Sequence, residues 1–205
     1  MPTERFLNLP AEKRERVLRA AVEEMARVPF SEVSINRIIQ AAGIARGSFY
    51  QYFEDKNDLL EHIMAGYQAD IEAAARKSLA ATGGNIFTAV QDVLGFVVAF
   101  GTKPENYDFC RNVFSSAMPC AEERFAFLKM NAQTMARQFT ASVDVSGLRD
   151  GSEENLVLLM KVLSALMRDT LLRVLKYPEK KDQLRADFEA ELDVVRYGVL
   201  KKEGL

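Results

Sequence analysis

Ser34-Ile35-Asn36-Arg37-Ile38-Ile39-Gln40-Ala41-Ala42-Gly43-Ile44-Ala45-Arg46-Gly47-Ser48-Phe49-Tyr50-Gln51-Tyr52-Phe53 is the stretch whose reading decides the fold of this 205-residue chain. Ser34 is a good helix N-cap. Ile35, Ile38, Ile39 and Ala42 recur at helical spacing, and Gly43 suits the left-handed conformation that stops a helix. A second short helix covers Ala45 to Tyr52. Two short helices joined by a tight turn with one glycine can set the second helix in the major groove of DNA. Ile38, Ile44, Phe49 and Phe53 supply the small core that fixes their crossing. Arg46, Gly47, Ser48, Tyr50, Gln51 and Tyr52 are left on the outer surface, a mixture of cation, hydrogen-bonding groups and phenols that suits base edges and phosphates. No Asp or Glu occurs from Val33 to Phe53, although the whole chain carries a formal net charge of −2. Any attraction for nucleic acid is therefore local. It resides in Arg37 and Arg46 and, upstream, in Arg5, Lys13, Arg14 and Arg16.

Outward from this stretch the pattern stays helical. Leu18, Val22 and Met25 mark a helix from about Pro10 to Val28, ended by Pro29 and Phe30. Asp55 caps the next helix with Asp58 three residues on, and Leu59, Ile63, Tyr67 and Ile71 carry it to about Leu79. Gly83 and Gly84 make the first clear break. Helices are then expected near Ile86–Gly101, Glu105–Ser116, Glu122–Val143, Ser152–Tyr177 and Lys180–Lys202. No sustained period-two alternation predicts a sheet. The fold class is all-α: an N-terminal three-helix DNA-binding domain over residues 1–55, with its helix-turn-helix at about 34–53, and a C-terminal helical ligand-binding and dimerisation domain over 56–205.

The segment from Ala42 through Lys56 resembles the fingerprint of the tetracycline-repressor (TetR) family of bacterial regulators. That fingerprint runs Ala-Gly-Val, then small and basic residues, then Tyr-x-His/Tyr-Phe and an Asp/Ser-Lys pair. The likeness covers about Leu18 to Leu60; the remaining two-thirds matches only in length and helical layout. The resemblance implies that Ser34 hydrogen-bonds a phosphate, that Arg46, Ser48 and Gln51 face base edges with Gly47 in the same groove-facing set, that Tyr50 and Tyr52 touch phosphate or sugar, and that Lys56 holds a phosphate. Two residues depart from the pattern. Ala45 stands where a capping Ser or Thr is common, a loss of about 1 kcal/mol to that helix, and Ile39 stands where Ala is usual.

In the second domain, phenylalanines concentrate between Phe87 and Phe139, and methionines recur from Met130 onward. Flexible methionines and aromatic faces fit an adaptable apolar cavity. Candidate lining residues are Phe96, Phe100, Phe109, Asn112, Phe114, Phe125, Met130, Met160 and Met167, with Asn112, Asn131, Gln133 and Arg168 as possible polar anchors. The family likeness implies a small apolar or aromatic effector there. Residues Ser152–Tyr177 are apolar nearly all round, so that helix must be covered on two sides. With the stripe on Lys180–Lys202 it forms half of a homodimer interface, at Leu163, Met167, Leu171, Phe188, Leu192 and Val195. The alternative is that both helices simply close the chain's own core.

Nothing reads as catalytic. His62 is the one histidine, and no nucleophile elbow, phosphate loop or zinc-protease motif occurs. Cys110 and Cys120 match no metal or redox spacing, so no metal and no cofactor are expected. The first residues do not read as a secretory signal and no apolar run spans a bilayer, which makes the expected setting cytoplasmic and free of membrane. The functional expectation is a ligand-responsive repressor that binds a near-palindromic DNA operator as a homodimer. The alternatives are a ligand-independent architectural DNA-binding protein, or an enzyme or lipid carrier using the helical cavity.

Overall fold

The N-terminal third begins with a single turn, α1 (Glu4–Leu7), and apolar residues at spacings of three and four then fold it into α2 (Ala11–Arg27), α3 (Ile35–Ala42), α4 (Arg46–Tyr52) and the start of α5 (Lys56–Ala81). They are followed by α6 (Ile86–Gly101), α7 (Pro104–Ala117), α8 (Glu153–Lys176) and α9 (Lys181–Val199). The computed structural model describes residues 2–117 and 139–200; most of the helix expected over Glu122–Val143 lies outside them. Among the described residues the extended pairing is a single antiparallel bridge between Leu148 and Leu200. That bridge corrects one boundary. The last helix was expected to reach Lys202, but it stops at Val199, where Leu200 turns extended (φ −74°, ψ 149°) and Arg149 donates its backbone N–H to Val199 O at 2.8 Å and its Nε to Leu200 O at 2.8 Å.

Two compact units divide the chain, and the division differs from the expected boundary at residue 55. The first unit runs through Ala69 and includes the segment from Lys103, which holds α7; the second runs from Asp70 to Thr102 and takes up again in the C-terminal part. The reason is packing. In the first unit α2 lies against both α3 and α7, and α7 buries Phe109, Cys110 and Val113. A helix placed by sequence order in the C-terminal domain therefore belongs to the core of the first unit.

The second unit is closed by α6, α8 and α9, together with the C-terminal part of α5. Leu79, Val93, Leu94, Val98, Leu156, Leu159, Leu163, Val174, Leu184, Phe188 and Leu192 form its core. Gly84 lets the chain turn tightly here. At φ +89° a Cβ on it would lie 2.5 Å from Asp144 N and 2.8 Å from Ser142 O, and Gly84 O accepts Asp144 N–H at 2.9 Å.

This core overturns half of the expected dimer interface. Leu163, Phe188 and Leu192 are at most 1% exposed within the single chain, so they hold the unit itself together, while Met167, Leu171 and Val195 are partly buried against it. The apolar side chains that α8 and α9 leave in water are instead Leu158, Val162, Val194 and Tyr197, from 47% to 74% exposed. Among the described residues, no single helix is long and apolar enough to cross a membrane.

Candidate nucleic-acid interface

The interface begins at the N-terminus of α3, whose first N–H groups have no partner within the helix. Ser34 occupies the N-cap position with extended backbone, but its hydroxyl makes no capping hydrogen bond. Its backbone N–H donates instead to Glu24 Oε1 of α2 at 3.1 Å. Glu24 is only 6% exposed. It accepts from Arg27 Nε at 2.8 Å and Arg27 Nη2 at 2.9 Å, and Arg37 Nε stands 3.3 Å away. The Arg27 hydrogen bond, then the Ser34 N–H and the charges of Arg27 and Arg37, hold its carboxyl below the ordinary value against the opposing effect of burial. Sequence reasoning passed over Glu24. Its signal was an acid in register with Val17, Ala20 and Ala21 on the buried face of α2.

The turn follows the expected chemistry. Gly43 adopts the left-handed conformation (φ 61°, ψ 41°) that side-chain-bearing residues avoid. Ile44 N–H reaches back to Ile39 O at 3.1 Å, and Arg16 Nε satisfies Ala42 O at 2.8 Å. The recognition helix α4 then starts from Ala45, with no side-chain cap.

Phe49 and Phe53 of this segment are fully buried, and Tyr52 is 6% exposed. Tyr52 was expected at a phosphate or sugar. The structure makes it a core residue, its ring 5.8 Å from that of Phe6. Arg46, Gly47 and Gln51 are exposed, Ser48 is half-buried, and Tyr50 is 51% exposed, so the other residues expected to face a groove stand together on one short helix.

With seven residues, α4 cannot satisfy its last carbonyls internally, and the chain's own beginning does it. Thr3 Oγ1 donates to Gln51 O at 2.6 Å, and Thr3 N–H donates to Tyr52 O at 3.0 Å. Phe6 anchors this strap, fully buried with its ring 4.6 Å from Phe53 and 5.4 Å from His62. Neither α1 nor the strap was foreseen, because four residues carry no periodic pattern. Burial, acting first, pushes the His62 imidazole below its ordinary value of 6.5; Arg14 and the chain's N-terminus add to this, and Asp58 opposes it.

Lys56 requires a second correction. Its ammonium donates to Ser31 O at 2.8 Å, Phe30 O at 2.9 Å and Val33 O at 3.5 Å, and it lies 5.2 Å from the centre of the Phe30 ring. The donors expected at a phosphate are taken up by the loop between α2 and α3. An ammonium has three donors and no acceptor, and the turn at Phe30–Glu32 presents carbonyls that need them. Beside it, Asp55 caps α5 as expected, accepting from Asn57 N at 2.7 Å and Asp58 N at 2.9 Å, while Asp58 accepts Glu54 N–H at 3.0 Å.

The expected ligand-lining residues do not share one unit. Phe109, Asn112 and Phe114 belong to the first, and Phe96, Phe100, Met160 and Met167 to the second. Asn112 is a further correction. It is buried, and its Nδ2 donates to Ala26 O at 2.7 Å and Met25 O at 3.2 Å, closing the C-terminus of α2 rather than anchoring a ligand. Met160 lies in the second core, and Phe96 is 41% exposed. Phe125, Met130, Asn131, Gln133 and Cys120 lie outside the described residues. Burial raises the Cys110 thiol to about 12, which removes the thiolate that would react. Among the described residues, no three His, Cys, Asp or Glu side chains are grouped to hold a metal.

Residues 17–63 match the family model described as bacterial regulatory proteins, tetR family, and residues 85–199 match that of the tetracyclin repressor-like C-terminal domain. A stretch of 51 residues is 41% identical to the uncharacterized HTH-type transcriptional regulator YvdT of Bacillus subtilis (strain 168), over 25% of this chain and 26% of that protein. Another, YdgC of the same organism, is 26% identical over 93 residues, 42% of this chain and 48% of that one. The matched stretches thus span less than half the length of either relative. Native NalD, the secondary repressor of the MexAB-OprM multidrug efflux pump in Pseudomonas aeruginosa, superposes with a TM-score of 0.63 at 21% identity, over 93% of this chain and 98% of that one. A transcriptional regulator from Rhodococcus sp. Rha1 reaches 0.65 at 13% identity, over 90% and 96%. At these identities the two structures share the fold.

Proposed function

Because this chain belongs to the TetR family of bacterial regulatory proteins, we propose that it is a transcriptional repressor that reads a near-palindromic operator through α4 and releases it when a small apolar molecule binds the C-terminal helices. The observation that carries the reading is the outer face of α4. Arg46, Gly47, Ser48, Tyr50 and Gln51 face outward from a helix fixed at both ends, by the Gly43 turn and by Thr3. A recognition helix is useful only if its side chains arrive in a set geometry, and here the ordering is done by the fold before any DNA is met. The residues divide by chemistry. Arg46 and Gln51 can form bidentate pairs with guanine and adenine edges, while Ser34 and Tyr50 carry hydroxyls suited to phosphate oxygens.

A homodimer follows from the operator symmetry this reading requires, since each recognition helix reads one half-site. The face that suits it is Leu158 and Val162 on α8 with Val194 and Tyr197 on α9. These lie one turn apart on each helix, and an isologous contact covers them with the same patch of a second copy. The effector reading rests on the family and on the aromatic and methionine side chains of the second unit, chiefly Phe100 and Met167, both of which keep partial exposure. A cytoplasmic setting accords with this role.

Selection of bound sequences from a random duplex pool tests the proposal. The expected product is one motif with two inverted half-sites, and recovery of unrelated sequences would overturn it. Thermal-shift screening of apolar compounds, followed by measuring release of the selected duplex, tests the effector arm.

A further inference from the structure

We propose that Arg37 is a phosphate-contacting residue of the DNA interface, made available for that contact by Glu24, which supplies from α2 the acid that a helix start ordinarily carries itself. The inference rests on the DNA-binding reading and turns the general positive charge read at Arg37 in the sequence into a named contact with a named support.

The usual way to close a helix start with serine at the N-cap places Glu or Gln three residues on, where its side chain reaches back to the N-cap N–H. In α3 that position is Arg37. A cation there is unfavourable for the helix, because the N-terminal end of the macrodipole is positive. It also cannot accept the Ser34 N–H, since a guanidinium has donors only. The fold repairs both deficits with one remote carboxylate: Glu24 Oε1 accepts the Ser34 N–H at 3.1 Å, and Oε2 meets Arg37 Nε at 3.3 Å. Helix stability alone would favour an acid at position 37 and an apolar residue at the buried position 24. The observed exchange of roles gives α3 nothing that the local arrangement lacks.

What it gives is outward positive charge. The Glu24 side chain is 5% exposed, while those of Arg27 and Arg37 are 44% and 60% exposed. Glu24 thus hides its negative charge while Arg27 and Arg37 reach the surface, and Glu32 acts on Arg27. Contact through Nε steers the guanidinium and leaves its terminal nitrogens for the planar fork that matches a phosphate. Ser34, one helical turn away, keeps its hydroxyl out of the cap, so a cation and a hydroxyl stand at the same end of α3. No acid lies between Val33 and Phe53 to oppose them.

The test measures binding of the full chain to mixed-sequence duplex DNA across a salt series, for wild type, Arg37→Gln and Arg37→Lys. Each neutralised phosphate contributes about −0.9 to the slope of log affinity against log salt. Arg37→Gln is expected to make the slope shallower by about that amount while leaving the melting temperature at or slightly above the wild-type value. Arg37→Lys should restore the slope but leave absolute affinity below wild type, because the fork is lost. If wild type binds with a steep slope and Arg37→Gln keeps all of it, the proposal is overturned and the DNA reading stands. If wild type shows no salt-dependent binding, both fall.

Discussion

Replacing Lys56 by Met keeps the aliphatic stem and removes the ammonium, which separates a structural clamp from a phosphate contact. In the structure Nζ serves two carbonyls at 2.8 and 2.9 Å and a third, weaker one at 3.5 Å. A hydrogen bond to a charged group contributes about 1.5–3 kcal/mol net. The two short ones thus amount to roughly 3–6 kcal/mol, less about 2 kcal/mol of rotamer freedom that the side chain regains when released. Ser31 is exposed, so water can replace the ammonium at its carbonyl. The lower part of that interval applies, about 2 kcal/mol. For a chain of this length 1 kcal/mol moves the melting temperature by about 2–4 °C, and Lys56→Met should melt roughly 4–8 °C below wild type by differential scanning calorimetry. The salt dependence of DNA binding should keep its slope, because these donors already have acceptors. An unmoved melting transition with a slope shallower by about 0.9 would refute this reasoning and return Lys56 to the phosphate set.

Three further outcomes are expected. A Cβ on Gly47 meets nothing within 4 Å, so Gly47→Ala should gain about 0.8–1 kcal/mol of helix propensity and melt about 2–4 °C higher, yet bind the selected duplex about tenfold less tightly, because an overpacked methyl costs about 1–3 kcal/mol; equal affinity in a gel-shift titration would show that nothing approaches this position closely. Val194→Glu combined with Tyr197→Glu should give folded monomers by sedimentation, whereas Phe188→Glu, which puts a carboxylate where the side chain is 1% exposed, should unfold the second unit; a dimer persisting in the double variant would remove this face from the interface. For His62, the folded state disfavours protonation, so the unfolded chain binds more protons below pH 6.5. Stability is therefore full above that value and falls as pH drops through it toward the depressed folded value. His62→Gln should flatten the dependence of unfolding midpoint on pH in that window, and identical pH profiles would exclude the effect.

Among the described residues, the sequence already determined the helices other than α1. Their spans depend on short-range periodicity and on capping residues such as Asp55 and Gly43, whose preferences operate within a turn or two of the chain. The inward and outward faces of α4 followed from the same local logic, with Tyr52 the exception. Its fate was decided by Phe6, 46 positions earlier in sequence, a partner that no local pattern specifies. Lys56 and Asn112 were misassigned for one reason: each side chain satisfies backbone carbonyls far away along the chain, at Phe30–Val33 and at the end of α2. Unpaired carbonyls at a turn or helix end are visible only once the chain has folded around them. The same holds for Leu163, Phe188 and Leu192 against Leu158, Val162, Val194 and Tyr197. Periodicity shows that a helix has apolar residues on more than one side, but which side meets its own chain and which stays in water depends on where the neighbouring helices lie. Glu24 makes the point most sharply. One buried carboxylate closes a helix ten residues away and turns an arginine toward solvent, because a charge removed from water must find its partners in three dimensions.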